Sequence, residues 1–413
     1  MKLPIYLDCH ATTPCDPAVV EAMLPYFTTF FGNPSSRHHL PGHQAEEAVE
    51  IARAQVAALI GAMPKEIIFT SGATESNNLA IRGLIETANK KPCHVITAAT
   101  EHHAVLEPMR HLERLGHRVT VLPVDKHGLV DLNRLREAFR PETVLVSIMM
   151  ANNEIGTIAP VAEIANVVHE HGALFHSDLA QAAGKISIDI KKLGVDLASF
   201  AAHKMYGPKG IGALYVRSGL PTIRLVAQMS GGGQERRWRS GTHNVLGIVG
   251  FGKAAELSQK VMKEEAKCLE GLRNLLFDSI KNALPRVVLN GHPTHRLMGN
   301  LNISIPFVDS ETILATFRKE MAISSGAACT STTNEPSHVL RAIGLPTDLI
   351  RCSLRLGIGR FNTEEEILYV AQRLIEEAQR LRNPTSAKNK QVSIHEINYP
   401  EVLDDYRISQ SRE

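Results

Sequence analysis

Between about residues 45 and 255, short runs of β-formers alternate with amphipathic helical stretches. EIIFT (66–70) leads into SGATESNNLAIRGLIETANK, and HVITAA (94–99) into a segment with Val105, Met109, Leu112 and Leu115 at helical spacing. RVTVLPV precedes a helix near Leu132–Phe139, and TVLVSIMM one containing Ile164, Val167 and Val168; ALFHSD and DLASF close the series. Strands separated by helices on this rhythm predict βαβ units, and so an α/β domain with a mostly parallel sheet flanked by helices. Ligands of such sheets sit at the carboxyl ends of the strands, which is where chemistry is to be sought.

The pattern changes after about residue 260. A charged helix over Val261–Ala283 precedes LNISIPF, a further helix, a Gly/Ala/Ser/Thr-rich stretch, SLRLGIGR and a last helix ending near Arg382. This predicts a smaller α+β domain over 261–382 beside a large domain over 16–260, with 1–15 an arm joining the small one. Residues 383–413 are polar and aperiodic and are expected to be a mobile tail. A chain of 413 residues is long enough for both units.

Lysine and arginine number 45 against 43 acidic residues, a net charge of +2, which gives no electrostatic case for nucleic-acid or membrane binding. The start, MKLPIYLDCHATTP, lacks the long apolar run of a secretory signal, and no uncharged apolar segment is of membrane-spanning length. Six scattered cysteines are not a disulfide framework, so a cytoplasmic protein with reduced thiols is expected.

Lys204 follows the apolar run DLASFAA and precedes a loop with Gly207, Pro208, Gly210 and Gly212. That setting suits a lysine desolvated and held for nucleophilic work. Other polar residues fall at predicted strand ends. Thr70-Ser71-Gly72-Ala73-Thr74 lies between a strand and a helix start, where accessible N–H groups favour an anion such as phosphate. His102 follows HVITAATE, Asn153 follows TVLVSIMMAN, and Asp178 ends ALFHSD. Any one of these is commonly a cap or turn residue, but together they match the needs of pyridoxal phosphate. That cofactor takes a lysine for its aldehyde, a carboxylate on its ring nitrogen and donors for its phosphate. Asp178 suits the ring nitrogen, and His102 can stack on the ring.

YLDCHATTP, FTSGATESNNLA, TEHHAVL, ANNEIG, AAHKMYGPKGIGALYV, GGGQERRWRSGT, SSGAACTS and LGIGRFNTEEEI resemble, in order, the motifs of cysteine desulfurases of the IscS/NifS group. These are fold-type I pyridoxal-phosphate enzymes, and the likeness runs from about residue 3 to 382. It implies Lys204 as the Schiff-base lysine, Asp178 at the pyridine nitrogen and His102 over the ring. Asn153 and Gln181 would contact the cofactor, and Asn153 the substrate as well. Ala73, Thr74 and His203 would bind the phosphate, with Thr242 reaching over from the partner of a homodimer. Arg355 would clamp the carboxylate of L-cysteine, as a bidentate guanidinium can. Cys329, in a stretch too small and polar to be core, would take the sulfur as a persulfide. The stretch before EPSHVLRAIGL resembles the long-loop branch, whose members hand sulfur to acceptors such as an iron–sulfur scaffold. Cys9, Cys15, Cys93, Cys268 and Cys352 are read as structural.

The chain also departs from that pattern. Ala201 stands where a phosphate-binding serine is usual, Cys9-His10 replaces Tyr-Ser, Leu179-Ala180 replaces Ala-Thr, and Asn77 stands where Asp is common. The alternatives are a selenocysteine lyase, another fold-type I enzyme such as an aminotransferase, or an inactive scaffold homologue. His38, His39 and His43 lack a completing ligand, so no metal site is expected. The three arginines of SGGGQERRWRSGT read as a dimer-contact loop rather than a nucleic-acid patch.

Overall fold

The computed structural model describes residues 2–88, 92–325 and 336–383. A seven-stranded sheet runs in the order Ile67–Thr70, Gly212–Val216, Leu197–Ala201, Leu174–Asp178, Thr143–Ser147, His94–Ala98, Arg118–Leu122. Only Gly212–Val216 runs antiparallel to its neighbours in this sheet, inserted between two strands that share one direction. The other neighbouring pairs are parallel.

Side chains alternate across the sheet, so one strand feeds two cores. Ile67 and Phe69 join a cluster with Val49, Val56, Ile164, Val168 and Phe251 on one face. Ile68 joins Leu79, Ile81, Val105 and Met109 on the other. Helices Leu40–Leu59 and Val161–Glu170 cover the first face, and Ala73–Thr87 and His103–Arg114 the second. Ile67–Thr70, His94–Ala98 and Leu197–Ala201, covered on both sides, are buried along their whole length, whereas Arg118–Leu122 is partly exposed, with Arg118 and Val121 at the surface and Leu122 buried. The segment expected to carry Leu115 in its apolar face ends at Arg114, and Leu115 caps it from the surface, 61% exposed.

A second, antiparallel sheet has the order Ser324–Ser325, Ser353–Gly357, Asn300–Ser304, Val288–Leu289. Ile5–Tyr6 pairs in parallel with Met321–Ala322, and Ile5 and Leu7 enter the same core as Ile303, Leu354 and Leu374. The charged helix expected over Val261–Ala283 begins earlier. It is continuous from Val245 to Ala283, 39 residues, because Ile248 and Phe251 pack in the first core and Leu276 and Ile280 in the second. The last helix, Glu364–Arg382, ends where the sequence predicts. Among the described residues, no helix is long and apolar enough to cross a membrane.

Candidate active site

A cavity of ≈ 490 Å³ opens at the carboxyl ends of the main-sheet strands. The strand Leu197–Ala201 runs into a single 3-10 turn, Ala202–Lys204, which delivers Lys204 to the cavity. Its Nζ donates to the carbonyl of His10. Burial, with the nearby charges of Lys185 and Arg355, pulls the amine down to about 7, although Asp178 and Asp8 oppose the shift. A lysine in this state is substantially neutral near pH 7.

Asp178 ends the strand Leu174–Asp178 and is 6% exposed. Its Oδ1 accepts from the Ala180 N–H at 2.8 Å and its Oδ2 from Asn77 Nδ2 at 2.8 Å. Both bonds fix the carboxylate's orientation in the cavity. His102 caps the helix His103–Arg114, its Nδ1 accepting from the Ala104 N–H at 3.0 Å. The ring's proton therefore belongs on Nε2. Burial and the charges of Lys204, His103 and His338 lower its pKa against the pull of Asp178, keeping the imidazole neutral.

The helix Ala73–Thr87 begins at Gly72 with no side-chain cap, and Ala73 and Thr74 line the cavity. A helix of this length presents uncommitted N–H groups and the positive end of its dipole. Its first turn is held rigidly: Thr70 Oγ1 meets Ser76 Oγ at 2.7 Å, and Glu75 accepts from the Ser71 N–H at 2.7 Å and from Arg239 at 2.9 Å. Gly212 permits the close approach of the antiparallel strand here, since a Cβ on it would lie 2.6 Å from the Gly72 Cα. His203 contacts Thr12 Oγ1 at 3.1 Å through Nδ1, and burial beside Lys204 and Lys209 pulls it down to about 4, so it is neutral. The uncapped helix start, the basic Lys204 and Lys209, and the buried, unpartnered Oδ1 atoms of Asn77 and Asn153 form a set of groups that fits pyridoxal phosphate.

Of the residues singled out in the sequence, Ala73, Thr74, His102, Asn153, Asp178, Gln181, His203 and Lys204 all line this one cavity. Arg355 stands behind it on Ser353–Gly357, bonded to Asp8 Oδ1 at 2.9 Å, Ser324 Oγ at 3.1 Å and the Asn153 carbonyl at 3.3 Å. Thr242 is exposed and does not line the cavity of its own chain. Cys329 and the tail from residue 384 lie outside the described residues. His39 is a helix cap, its Nδ1 accepting from the Gly42 N–H at 3.1 Å. Of the arginines in SGGGQERRWRSGT, Arg239 is engaged by Glu75.

Three residues of the site had no functional signal in the sequence. His10, met there only as a departure, offers its carbonyl to both Lys204 Nζ and Gln181 Nε2. Asp8 holds Arg355. Lys185 donates to Gln181 Oε1 at 2.7 Å. A lysine four residues beyond a glutamine is too common a spacing to have found it.

Residues 5–370 match the aminotransferase class-V family. The chain is 53% identical over 382 residues to a protein of Anaeromyxobacter sp. (strain Fw109-5) described as cysteine desulfurase IscS, covering 92% of this chain and 94% of that one. A solved structure described as a NifS-like protein superposes with a TM-score of 0.85 at 37% identity, over 91% of this chain and 100% of its own. Another, described as SspA in complex with cysteine, gives 0.78 at 38% identity, over 87% and 100%.

Proposed function

The chain belongs to the aminotransferase class-V family and is a pyridoxal-phosphate-dependent cysteine desulfurase, and we propose that Lys204, His102 and Cys329 carry its chemistry. The observation that supports this assignment above the others is a desolvated lysine delivered by a strand end into one cavity with a doubly bonded Asp178, its amine lowered to about 7 by burial. The reaction removes sulfur from L-cysteine. The Cβ–S bond of the substrate breaks, an S–S bond to the Cys329 sulfur forms, and alanine leaves with Cβ protonated. Cysteine plus enzyme thiol thus balances alanine plus enzyme persulfide.

Pyridoxal phosphate, when bound, supplies the electron sink that makes the substrate Cα–H acidic. Lys204 would hold its aldehyde at rest, and its Nζ, released, would take and return the Cα proton. Asp178 would pair with the ring nitrogen, with Asn77 and the Ala180 N–H holding the carboxylate in place. Asn153 and Gln181 would contact the cofactor, and the Ala73–Thr74 turn and His203 its phosphate. His102 would stack on the ring and exchange protons at Nε2, the nitrogen not engaged by Ala104. Arg355 would receive the substrate carboxylate, with Asp8 and the Asn153 carbonyl fixing its guanidinium plane.

The reading extends to partners. Exposed Thr242, away from its own cavity, is assigned to the site of a second copy in a homodimer. Sulfur would leave Cys329 for acceptor proteins of iron–sulfur assembly or tRNA thiolation in the cytoplasm. The division of the chain is proposed as an arm over 1–15, a large domain over 16–260, a small one over 261–382 and a tail over 383–413. Burial raises the thiol pKa of Cys15 and Cys352 and pushes Cys9 up to about 12, so none of these is an apt nucleophile.

The test is alanine production from cysteine, with mass spectrometry of the protein after one turnover. Cys329→Ser should keep the bound cofactor's visible absorption but form no protein persulfide. A persulfide on another cysteine, with Cys329 unmodified, refutes the assignment.

A further inference from the structure

Behind Lys204 a second lysine is tied to it through two intermediaries. Lys185 Nζ donates to Gln181 Oε1 at 2.7 Å, Gln181 Nε2 donates to the His10 carbonyl at 2.8 Å, and that carbonyl also accepts from Lys204 Nζ. Gln181 and Lys185 lie in the turns after the strand Leu174–Asp178, and the chain's left-handed step at Gly184 (φ +76°) brings the lysine back to meet the glutamine. We propose that Lys185 is a positioning residue of this site, fixing the Gln181 amide in one orientation and placing a positive charge behind Lys204. The proposal rests on the reading of Lys204 as the cofactor lysine.

The orientation follows from donor chemistry. An ammonium has three donors and no acceptor, so it can meet only the oxygen end of the Gln181 amide. That leaves the NH₂ end for the His10 carbonyl and for whatever occupies the cavity that Gln181 lines. With a neutral apolar group at 185, the two ends of the amide become interchangeable, and the His10 carbonyl loses its assured second donor. Lys204 would then share that carbonyl with no fixed neighbour.

The charge follows from the surroundings. Lys185, half-buried, lines a small cavity of ≈ 30 Å³ with Cys9, His10, Tyr206 and Glu265. Burial lowers it to about 8, against the opposing pull of Cys9 and Glu265 and with the push of Arg355. It remains mostly protonated at pH 7, where it is the foremost of the charges that depress Lys204. The remaining groups facing Lys204 are Arg355, which acts in the same sense, and Asp178 and Asp8, which act against it. His10, His102 and His203 all carry lowered pKa values and are neutral at that pH. Removing the charge at 185 therefore shifts Lys204 upward, toward the protonated, unreactive state.

The experiment uses full-length apo-protein, pyridoxal phosphate as probe, and borohydride to trap it on amines between pH 5.5 and 9.5. The trapped site is read by peptide mass spectrometry. Wild type should trap the probe on Lys204 with a midpoint near 7. Lys185→Met and Lys185→Gln should move that midpoint up by about half a unit or more, so that trapping at pH 6 falls about threefold or more. Lys185→Arg, which keeps charge and donors, should restore the wild-type midpoint; a merely structural role would not discriminate by charge. Lys185→Gln keeps a donor for Gln181 Oε1 and provides a folded neutral variant if the methionine is not tolerated. Trapping on Lys204 with one midpoint in all variants overturns the proposal alone. Trapping on a different lysine in wild type overturns the reading of Lys204 itself.

Discussion

Asn77 and Asp178, 101 residues apart in the chain, meet at 2.8 Å with the amide Nδ2 donating to the carboxylate Oδ2. Asn77 lies on the helix whose start lines the cavity, and Asp178 ends a strand. One contact therefore ties the anion-facing end of the site to its carboxylate. Asn77→Ala leaves Asp178 Oδ2 buried without this donor, which should cost about 1–3 kcal/mol of cofactor affinity, or roughly 5- to 100-fold. Titrating apo-protein with pyridoxal phosphate measures this, and an unchanged dissociation constant would show the contact to be dispensable.

Lys204 should cost the apo-protein stability. Its folded value of about 7 lies below the ordinary lysine value of about 10.4, so between those pH values the unfolded chain binds a proton that the folded chain refuses. Stability contributed by this group is lost as pH falls from about 10.4 to 7 and stays lost below. Lys204→Met should therefore stabilise apo-protein by roughly 2–4 kcal/mol at pH 7, with the gain shrinking toward pH 10. Urea denaturation at several pH values decides it, and a variant less stable than wild type at pH 7 would contradict the argument.

Glu235 anchors the loop that carries Thr242. Its carboxylate is bidentate with Arg53 at 2.8 and 2.9 Å, and it accepts from the Phe69 N–H at 2.7 Å and contacts His243 Nε2 at 2.7 Å. Burial works against ionisation here, but the His243 and Arg53 bonds outweigh it and hold the group down to about 2. Its contribution is present above the unfolded value of about 4.3 and is lost as pH falls toward 2. Glu235→Gln leaves Arg53 buried without its counter-charge and should destabilise by about 3–5 kcal/mol at pH 7. The loss relative to wild type should narrow between pH 4.5 and 2.5. A variant with a wild-type melting temperature at pH 7 would remove this anchor.

Ala201 ends its strand opposite Gly212 and is 2% exposed. A hydroxyl hydrogen-bonded to a charged group contributes about 1.5–3 kcal/mol. Ala201→Ser should thus tighten pyridoxal phosphate binding about ten- to a hundredfold while leaving turnover at saturating cofactor little changed. Equal dissociation constants would mean that water or the neighbouring donors already do this work.

The βαβ rhythm was legible because each strand that alternates with a helix is a local pattern, and burial on both faces made those strands continuously apolar. Thr74, His102, Asn153, Asp178 and Lys204 were legible for a related reason, since each sits at or soon after a strand end, whereas Gln181 and His203 were pointed to by the family resemblance. Strand order was not, because the insertion of Gly212–Val216 between Ile67–Thr70 and Leu197–Ala201 depends on contacts across well over a hundred residues. His10 escaped notice because it acts through its carbonyl, which every residue has. Lys185 escaped because its neighbours Cys9 and Glu265 lie far from it in the chain, one before it and one after.

The helix Val245–Ala283 is about 58 Å long at 1.5 Å per residue, and it contributes side chains to both hydrophobic cores. A beam shared in this way removes the independence that two separate cores would otherwise have. Melting the smaller core strips packing from the helix's second half, and fraying there propagates toward Phe251, which the larger core needs. Heat should therefore unfold the described body in one cooperative step, with calorimetric and van't Hoff enthalpies in agreement, rather than in two.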